Sequence, residues 1–139
     1  MITAEEAATR GKLFANGHHL SSTDTRYLKS LGYCPQFFGL DKFLTGEDNL
    51  QIILTLRGHN YHYVKKEVRN WMQIVGLERY AHNVVDSYSG GCVRRMGAAA
   101  ALCSDADLSL LDEPSAGVDP AARRRLWHTL QKALRRQKS

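Results

Sequence analysis

An α/β fold is predicted by three observations on this 139-residue chain. Two short apolar runs, Leu31–Cys34 and Leu108–Leu111, have strand length rather than helix length. The segment between them carries apolar residues at three- and four-residue steps, the period of helices packed on a core. The second run ends in a carboxylate pair, Asp112 and Glu113, and the carboxyl ends of parallel strands are where ligands of α/β sheets collect.

The elements follow in order. Residues 10–20, RGKLFANGHHL, read as a strand interrupted by an Asn16-Gly17 turn. Gly11-Lys12 is not the end of a phosphate loop, because Glu6 and Leu13 stand where Gly and Ser or Thr are needed. Ser22–Lys29 is a short helix candidate with Ser and Thr residues able to cap it. Leu31–Cys34 is a strand ended by Pro35. Thr45-Gly46-Glu47-Asp48 has the form of a capping box, with Asp in the last position. The helix it opens turns Leu50, Ile53 and Leu54 inward and stops near Gly58. A second helix presents Val64, Val68, Trp71, Met72 and Val75 on one face, with Gly76 as its stop. Gly91–Leu102 is a third helix of small residues, suited to close packing. Leu108–Leu111 is a short buried strand. Asp119 and Pro120 fit the N-cap and first position of a last helix, whose apolar face is Leu126, Trp127, Leu130, Ala133 and Leu134.

Composition excludes several classes. Hydrophobic residues make up 43% and charged residues 24%, a globular balance. No apolar run approaches the roughly 20 residues that span a bilayer. The first residues, MITAEEAATR, lack the apolar core of a secretory signal. Cys34, Cys92 and Cys103 are odd in number and contain no C-x-x-C, which argues against a disulfide framework or zinc site and fits a reducing compartment. The net charge of +5 gathers in the last helix, without aromatic interleaving or a nucleic-acid-binding motif. It reads as a solvated face, and no nucleic acid is expected as partner.

Three sites carry chemistry. Ser89-Gly90-Gly91 opens a helix with backbone N–H groups unshielded by Cβ atoms, and the helix dipole adds positive potential. That is an anion site suited to a nucleotide γ-phosphate; alone, it reads far sooner as an ordinary N-cap with a flexible turn. Asp112 at the strand tip would hold Mg²⁺ through water or hydroxyl, and Glu113 would orient or deprotonate an attacking water. Gln36, just after Pro35, offers a neutral amide to a metal ion or a water. Each is weak in isolation. In one chain, 53 positions from Gln36 to Ser89, 23 from Ser89 to Asp112 and six from Glu113 to Asp119, they form a pattern.

That pattern resembles an ATP-binding cassette (ABC) nucleotide-binding domain, and within it the A subfamily of ABC transporters. Gly32-Tyr33-Cys34-Pro35-Gln36-Phe37 is similar to its Q-loop. Leu44-Thr45-Gly46-Glu47 and Leu56-Arg57-Gly58 follow its helical subdomain. Tyr88-Ser89-Gly90-Gly91 resembles the signature motif, with Tyr for the usual Leu. Leu108–Glu113 resembles Walker B, and Ser115–Pro120 the D-loop. The Tyr88 turn and Ala122-Arg123-Arg124-x-Leu126-Trp127 resemble the second, C-terminal cassette. The resemblance implies an incomplete P-loop NTPase-type cassette with a helical signature subdomain: residues 1–35 strand-rich, 37–104 helical, and 105–139 Walker B, D-loop and the following helix. It implies ATP and Mg²⁺ as cofactors. Glu113 and Gln36 become catalytic, Asp112 and Gln36 metal-binding, and Ser89, Gly90, Gly91, Cys92 and Asp119 nucleotide-binding.

The departures shape the functional expectation. No Gly-x-x-x-x-Gly-Lys occurs in the chain, and His128 lies too close to Glu113 to be the H-loop histidine. Cys92 stands where many families have Gln. The resemblance implies a parent ATPase that couples ATP hydrolysis to lipid transport, with a second nucleotide-binding domain and transmembrane domains as partners, at the cytoplasmic face of a membrane. The chain reads as a fragment beginning after Walker A and ending before the H-loop, inactive by itself. The alternative is a non-catalytic interaction protein that docks on a complete cassette and completes or blocks its ATP site. A chromosome-organising ATPase is disfavoured, since no sustained heptads separate Gln36 from Ser89.

Overall fold

A computed structural model of the chain describes residues 9–12, 14–15, 18–19, 28, 30–35, 39–103, 106–116 and 119–137. Strands β1 (Phe14–Ala15) and β2 (His18–His19) pair antiparallel, Phe14 beside His19; the expected Asn16-Gly17 turn lies outside the described residues, as does most of the 22–29 helix candidate. Strand β3 (Leu31–Cys34) pairs in parallel with β4 (Leu108–Leu111), Leu31 beside Leu108 and Cys34 beside Leu111. The ladder runs on past both ends: Leu108 N–H donates to Ser30 O (3.2 Å) and Asp112 N–H to Cys34 O (2.9 Å).

Among the described residues four α-helices of eleven residues or more accompany this ladder, one packed on it and the other three packed around that one. Helix α1 (Gly46–Leu56) starts from the predicted capping box, Thr45 Oγ1 accepting from Asp48 N and the Asp48 carboxylate accepting from Thr45 N. Asn49 is buried one turn in, where its amide accepts from Asp41 N (2.8 Å) and donates to the carbonyls of Asp41 and Thr45 (both 2.9 Å). Those three bonds bind the 41–45 loop to the helix it precedes. Helix α2 (Tyr61–Val75) buries Val64, Val68, Trp71, Met72 and Val75, the predicted stripe, and closes at Gly76 in the left-handed region (φ 65°). Helix α3 (Gly90–Leu102) begins at its Ser89 N-cap. Helix α4 (Pro120–Gln137) begins at Asp119, whose carboxylate accepts from Ala121 N (3.0 Å).

The core is continuous. Leu50 and Leu54 of α1, the α2 stripe, Met96–Leu102 of α3, and Leu126, Leu130 and Ala133 of α4 pack together with Leu77 and Val85 from the short turns between α2 and α3. Its tightest point is α3 on β3. A Cβ at Gly32 would lie 2.1 Å from the Ala101 carbonyl oxygen, and one at Gly97 would lie 3.1 Å from Cys34 Sγ. The small residues of α3 therefore let its backbone approach the strand, and only glycine fits at position 32.

Two expectations require correction. Strand β4 is not buried: Leu108 is exposed and Ser109–Leu111 half-exposed, because β4 pairs with β3 alone among the described residues. On α4, Trp127 and Leu134 are half-exposed and lie outside the packed face. Both sit about 80–100° round the helix from Leu126, beyond the reach of α2 and α3.

The Gly32–Ala101 approach predicts that Gly32→Ala lowers unfolding stability by about 2–3 kcal/mol, since the added methyl meets backbone that cannot swing aside. Urea denaturation measures it, and the same substitution at exposed Gly58, where a Cβ meets nothing within 4 Å but φ is +87°, costs about 1 kcal/mol by backbone strain alone.

Candidate functional site

The orientation of α3 builds the site. Ala101 lies over Gly32 and Gly97 lies over Cys34, so α3 runs antiparallel to β3 and β4. Its N-terminus therefore points the same way as the C-terminal tips of both strands. Gly90 is seven residues before Gly97, about 10 Å further along the helix axis. The Ser89 turn and the Asp112–Glu113 tip thus face one edge of the molecule.

At the helix end, Ser89 Oγ accepts from Cys92 N (3.3 Å) and donates to Cys92 Sγ (3.1 Å). The backbone N–H groups of Cys92 and Val93 bond to the Ser89 carbonyl (2.8 and 2.9 Å). Gly90 and Gly91 occupy the first helical positions, whose N–H groups have no intrahelical acceptor. Ser89 and Gly90 are exposed, so these donors face solvent. Arg95 secures the turn from behind. Its Nη1 donates to the carbonyls of Val75 (2.5 Å) and Gly76 (3.3 Å) at the end of α2, and its Nη2 donates to Cys92 Sγ (3.4 Å). A guanidinium at a helix C-terminus is also favoured by that helix's dipole.

At the strand tip, Asp112 and Glu113 are both exposed. Glu113 has φ 42°, the only positive value outside glycine among the described residues. For a residue with a Cβ this conformation costs about 1 kcal/mol. It starts a tight turn in which Ala116 N–H donates to Glu113 O (2.9 Å). Backbone strain of this kind concentrates where a side chain must be aimed. One carboxylate at a strand end, open to solvent, fits Mg²⁺ in its usual mode, held by one or two carboxylates, waters and nucleotide phosphates. No cluster of three His, Cys, Asp or Glu side chains able to cage a metal occurs among the described residues.

A cavity of about 340 Å³ opens beside the end of β3 and the first turns of α3, lined by Cys34, Pro35, Leu40, Gly90, Val93 and Arg94 among others. Cys34 is held above its ordinary pKa of 9.0, first by burial; the Arg94 charge opposes that shift and the Asp112 carboxylate adds to it. Arg94 and Asp112 therefore act on one sulfur at the end of β3. Gln36 and Phe37 lie outside the described residues. Asp119 is exposed and caps α4. Arg94, Arg95 and the Asn49 clamp escaped the sequence reading. Their only signal was polar residues inside otherwise apolar or small helices, which does not reveal their partners.

The comparisons agree with this geometry. The ABC transporter family profile matches residues 1–116. Human phospholipid-transporting ATPase ABCA3 is 39% identical over 133 residues, covering 96% of this chain and 8% of that protein. Bovine retinal-specific phospholipid-transporting ATPase ABCA4 is 39% identical over 136 residues, 97% of the chain and 6% of the protein. Human phospholipid-transporting ATPase ABCA7 is 35% identical over the full chain and 6% of its own length. Among solved structures, a dimeric post-hydrolysis ATP-binding cassette, MJ0796 with ADP and Pi, superposes with TM-score 0.79 at 22% identity, over 94% of this chain and 60% of that one. The fold is that of an α/β, P-loop NTPase-type nucleotide-binding cassette. The chain belongs to the ABC transporter family, in its A subfamily.

The thiols provide a check of this edge. Cys34 and Cys103 are buried and Cys92 is partly exposed. Alkylation of the folded chain is expected to modify Cys92 first, with Cys34 and Cys103 reacting only on unfolding, as mass spectrometry of quenched samples will show. A thiol with a raised folded pKa holds its proton more tightly in the fold. Its contribution is intact below the ordinary value of 9.0 and is lost as pH rises through the folded value. Tyr88, raised from 10.0 chiefly by burial, acts in the same direction. Unfolding free energy measured against pH should be level to about pH 8 and fall above about pH 9, less steeply in Cys34→Ala.

Proposed function

We propose that this chain is part of the ATP-binding and hydrolysing domain of an A-subfamily transporter that couples ATP hydrolysis to lipid movement across a membrane. The observation that carries the reading is the antiparallel seating of α3 on β3, which brings the Ser89 turn and the Asp112–Glu113 tip to one edge. The relatives' names, phospholipid-transporting ATPases, support a lipid as the transported substrate. A second nucleotide-binding domain would meet this edge, and transmembrane domains would carry the lipid, with the cassette on the cytoplasmic face.

In this reading the chain serves two nucleotides. The Gly90 and Gly91 N–H groups and the Ser89 hydroxyl contact the γ-phosphate of an ATP held by the phosphate loop of the opposing cassette, with Cys92 behind them and Asp119 at the border of the dimer. Asp112, with Gln36, holds the Mg²⁺ of this chain's own nucleotide. That ion, when bound, neutralises phosphate charge. Glu113 accepts a proton from, or orients, the attacking water, and Gln36 positions it. Dividing the donors between two chains makes turnover conditional on their closure. The 139 residues contain no Gly-x-x-x-x-Gly-Lys, so the chain alone lacks a lysine and several backbone donors. One donor of this type is worth about 3 kcal/mol of transition-state stabilisation.

Two results follow. The purified chain hydrolyses no ATP above background; steady turnover abolished by Glu113→Gln would overturn that expectation. A complete cassette with its own Walker base silenced captures the chain only when ATP is present, and Ser89→Arg abolishes capture. Binding indifferent to nucleotide would count against the phosphate-contact reading and point to a separate interaction protein.

A further inference from the structure

The residue before the Ser89 turn is Tyr88, a Tyr where the related motif has Leu, and its phenol makes contacts that no leucine could. Tyr88 is buried. Its hydroxyl donates to the Tyr80 carbonyl (2.6 Å), and its ring meets the Tyr80 ring edge-on at 6.1 Å. The Gly46 N–H donates to Asn83 O (3.3 Å). A Cβ built on Gly46 would stand 2.2 Å from Tyr88 Oη, 3.2 Å from the ring carbon that bears it and 3.4 Å from Met72 Cε. The phenol therefore occupies the space that any side chain at position 46 would need. It lies against the first residue of α1 and bonds to the turn after α2, and its backbone leads directly into the N-cap of α3.

The constraint runs in one direction. Gly46 is pinned by the capping box at Thr45, by Glu47 N–H bonding to Ala81 O (3.0 Å) and by the Asn49 clamp. Tyr80 is pinned by its N–H bond to Leu77 O (2.9 Å). The helix end beyond Tyr88 is held by Arg95 and by Ser89 itself.

We propose that Tyr88 and Gly46 are a matched pair that positions the Ser89-Gly90-Gly91 end of α3: the bare Cα of Gly46 leaves room for the ring of Tyr88, and the seating of that ring places the start of the helix. Tyr88 is a positioning residue, since it touches no ligand in this scheme. The proposal's functional meaning rests on the reading of the Ser89 turn as a phosphate contact.

The test is a double-mutant cycle on the full chain, read by amide hydrogen exchange at Cys92 and Val93, whose N–H groups bond to Ser89 O. Gly46→Ala is expected to speed exchange at these two amides by about tenfold while amides of the α2 core, Val68 to Met72, stay within about twofold. Adding Tyr88→Phe removes the atom at 2.2 Å and returns the two amides to within about threefold of the native rate. Should Gly46→Ala fail to fold, recovery of the fold in Gly46→Ala/Tyr88→Phe reports the same pairing. Unchanged exchange in Gly46→Ala, or a double variant no better than the single one, would overturn the proposal. ATP-dependent capture by a complete cassette separates the two claims. Capture of the native chain with about tenfold weaker capture of Gly46→Ala supports both. Failure of native capture overturns the phosphate contact and leaves the exchange cycle to judge the pairing.

Discussion

The close approach of α3 to β3 is the constraint on which the rest depends. With the Ala101 carbonyl over Gly32 and Gly97 over Cys34, there is one depth and one direction in which the helix can lie on the strand. That direction carries the helix N-terminus to the strand tips. The positive end of a helix and a pair of carboxylates then share an edge, and the proposed function rests on that pairing: the helix end would serve phosphate oxygens, the carboxylates a cation and a water.

The elements around this contact hold its ends in place. Arg95 joins the N-terminal turn of α3 to the C-terminus of α2, Arg57 joins the end of α1 to the Leu31 carbonyl (2.5 Å), and Asn49 ties the preceding loop to α1. Each is a polar side chain satisfied by backbone carbonyls. Directional bonds of this kind set the relative placement of helices that apolar contact alone would let slide. The strained Glu113 backbone belongs to the same scheme. Its unfavourable φ is compensated by the turn to Ala116 and by the ladder bond of Asp112 immediately before it.

Much of this was legible in the residues. The capping box at Thr45, the α2 stripe and the two strands announced themselves because their signals are local: one cap, one period, one apolar run. The Ser-Gly-Gly turn and the carboxylate pair were legible as chemistry and, through their spacing, as family motifs. What was not legible depends on partners far apart in the chain. Arg95 reads as a solvated charge until α2 is seen 19 and 20 residues before it. The Tyr at position 88 was legible as a family variant, but its neighbour was not: Gly46 lies 42 positions before it. The misjudged positions, Leu108, Trp127 and Leu134, share one cause. Periodicity marks residues that are apolar, and whether each is covered depends on which neighbours pack beside it.

The most direct test of the central claim is paramagnetic broadening in the isotopically labelled chain on addition of a complete, hydrolysis-silenced cassette loaded with Mn²⁺ and ATP. The account predicts selective loss of the Ser89, Gly90 and Gly91 amide signals, with the resonances of α4 little changed. Broadening confined to the basic residues of α4, with the Ser89 turn unaffected, would contradict it.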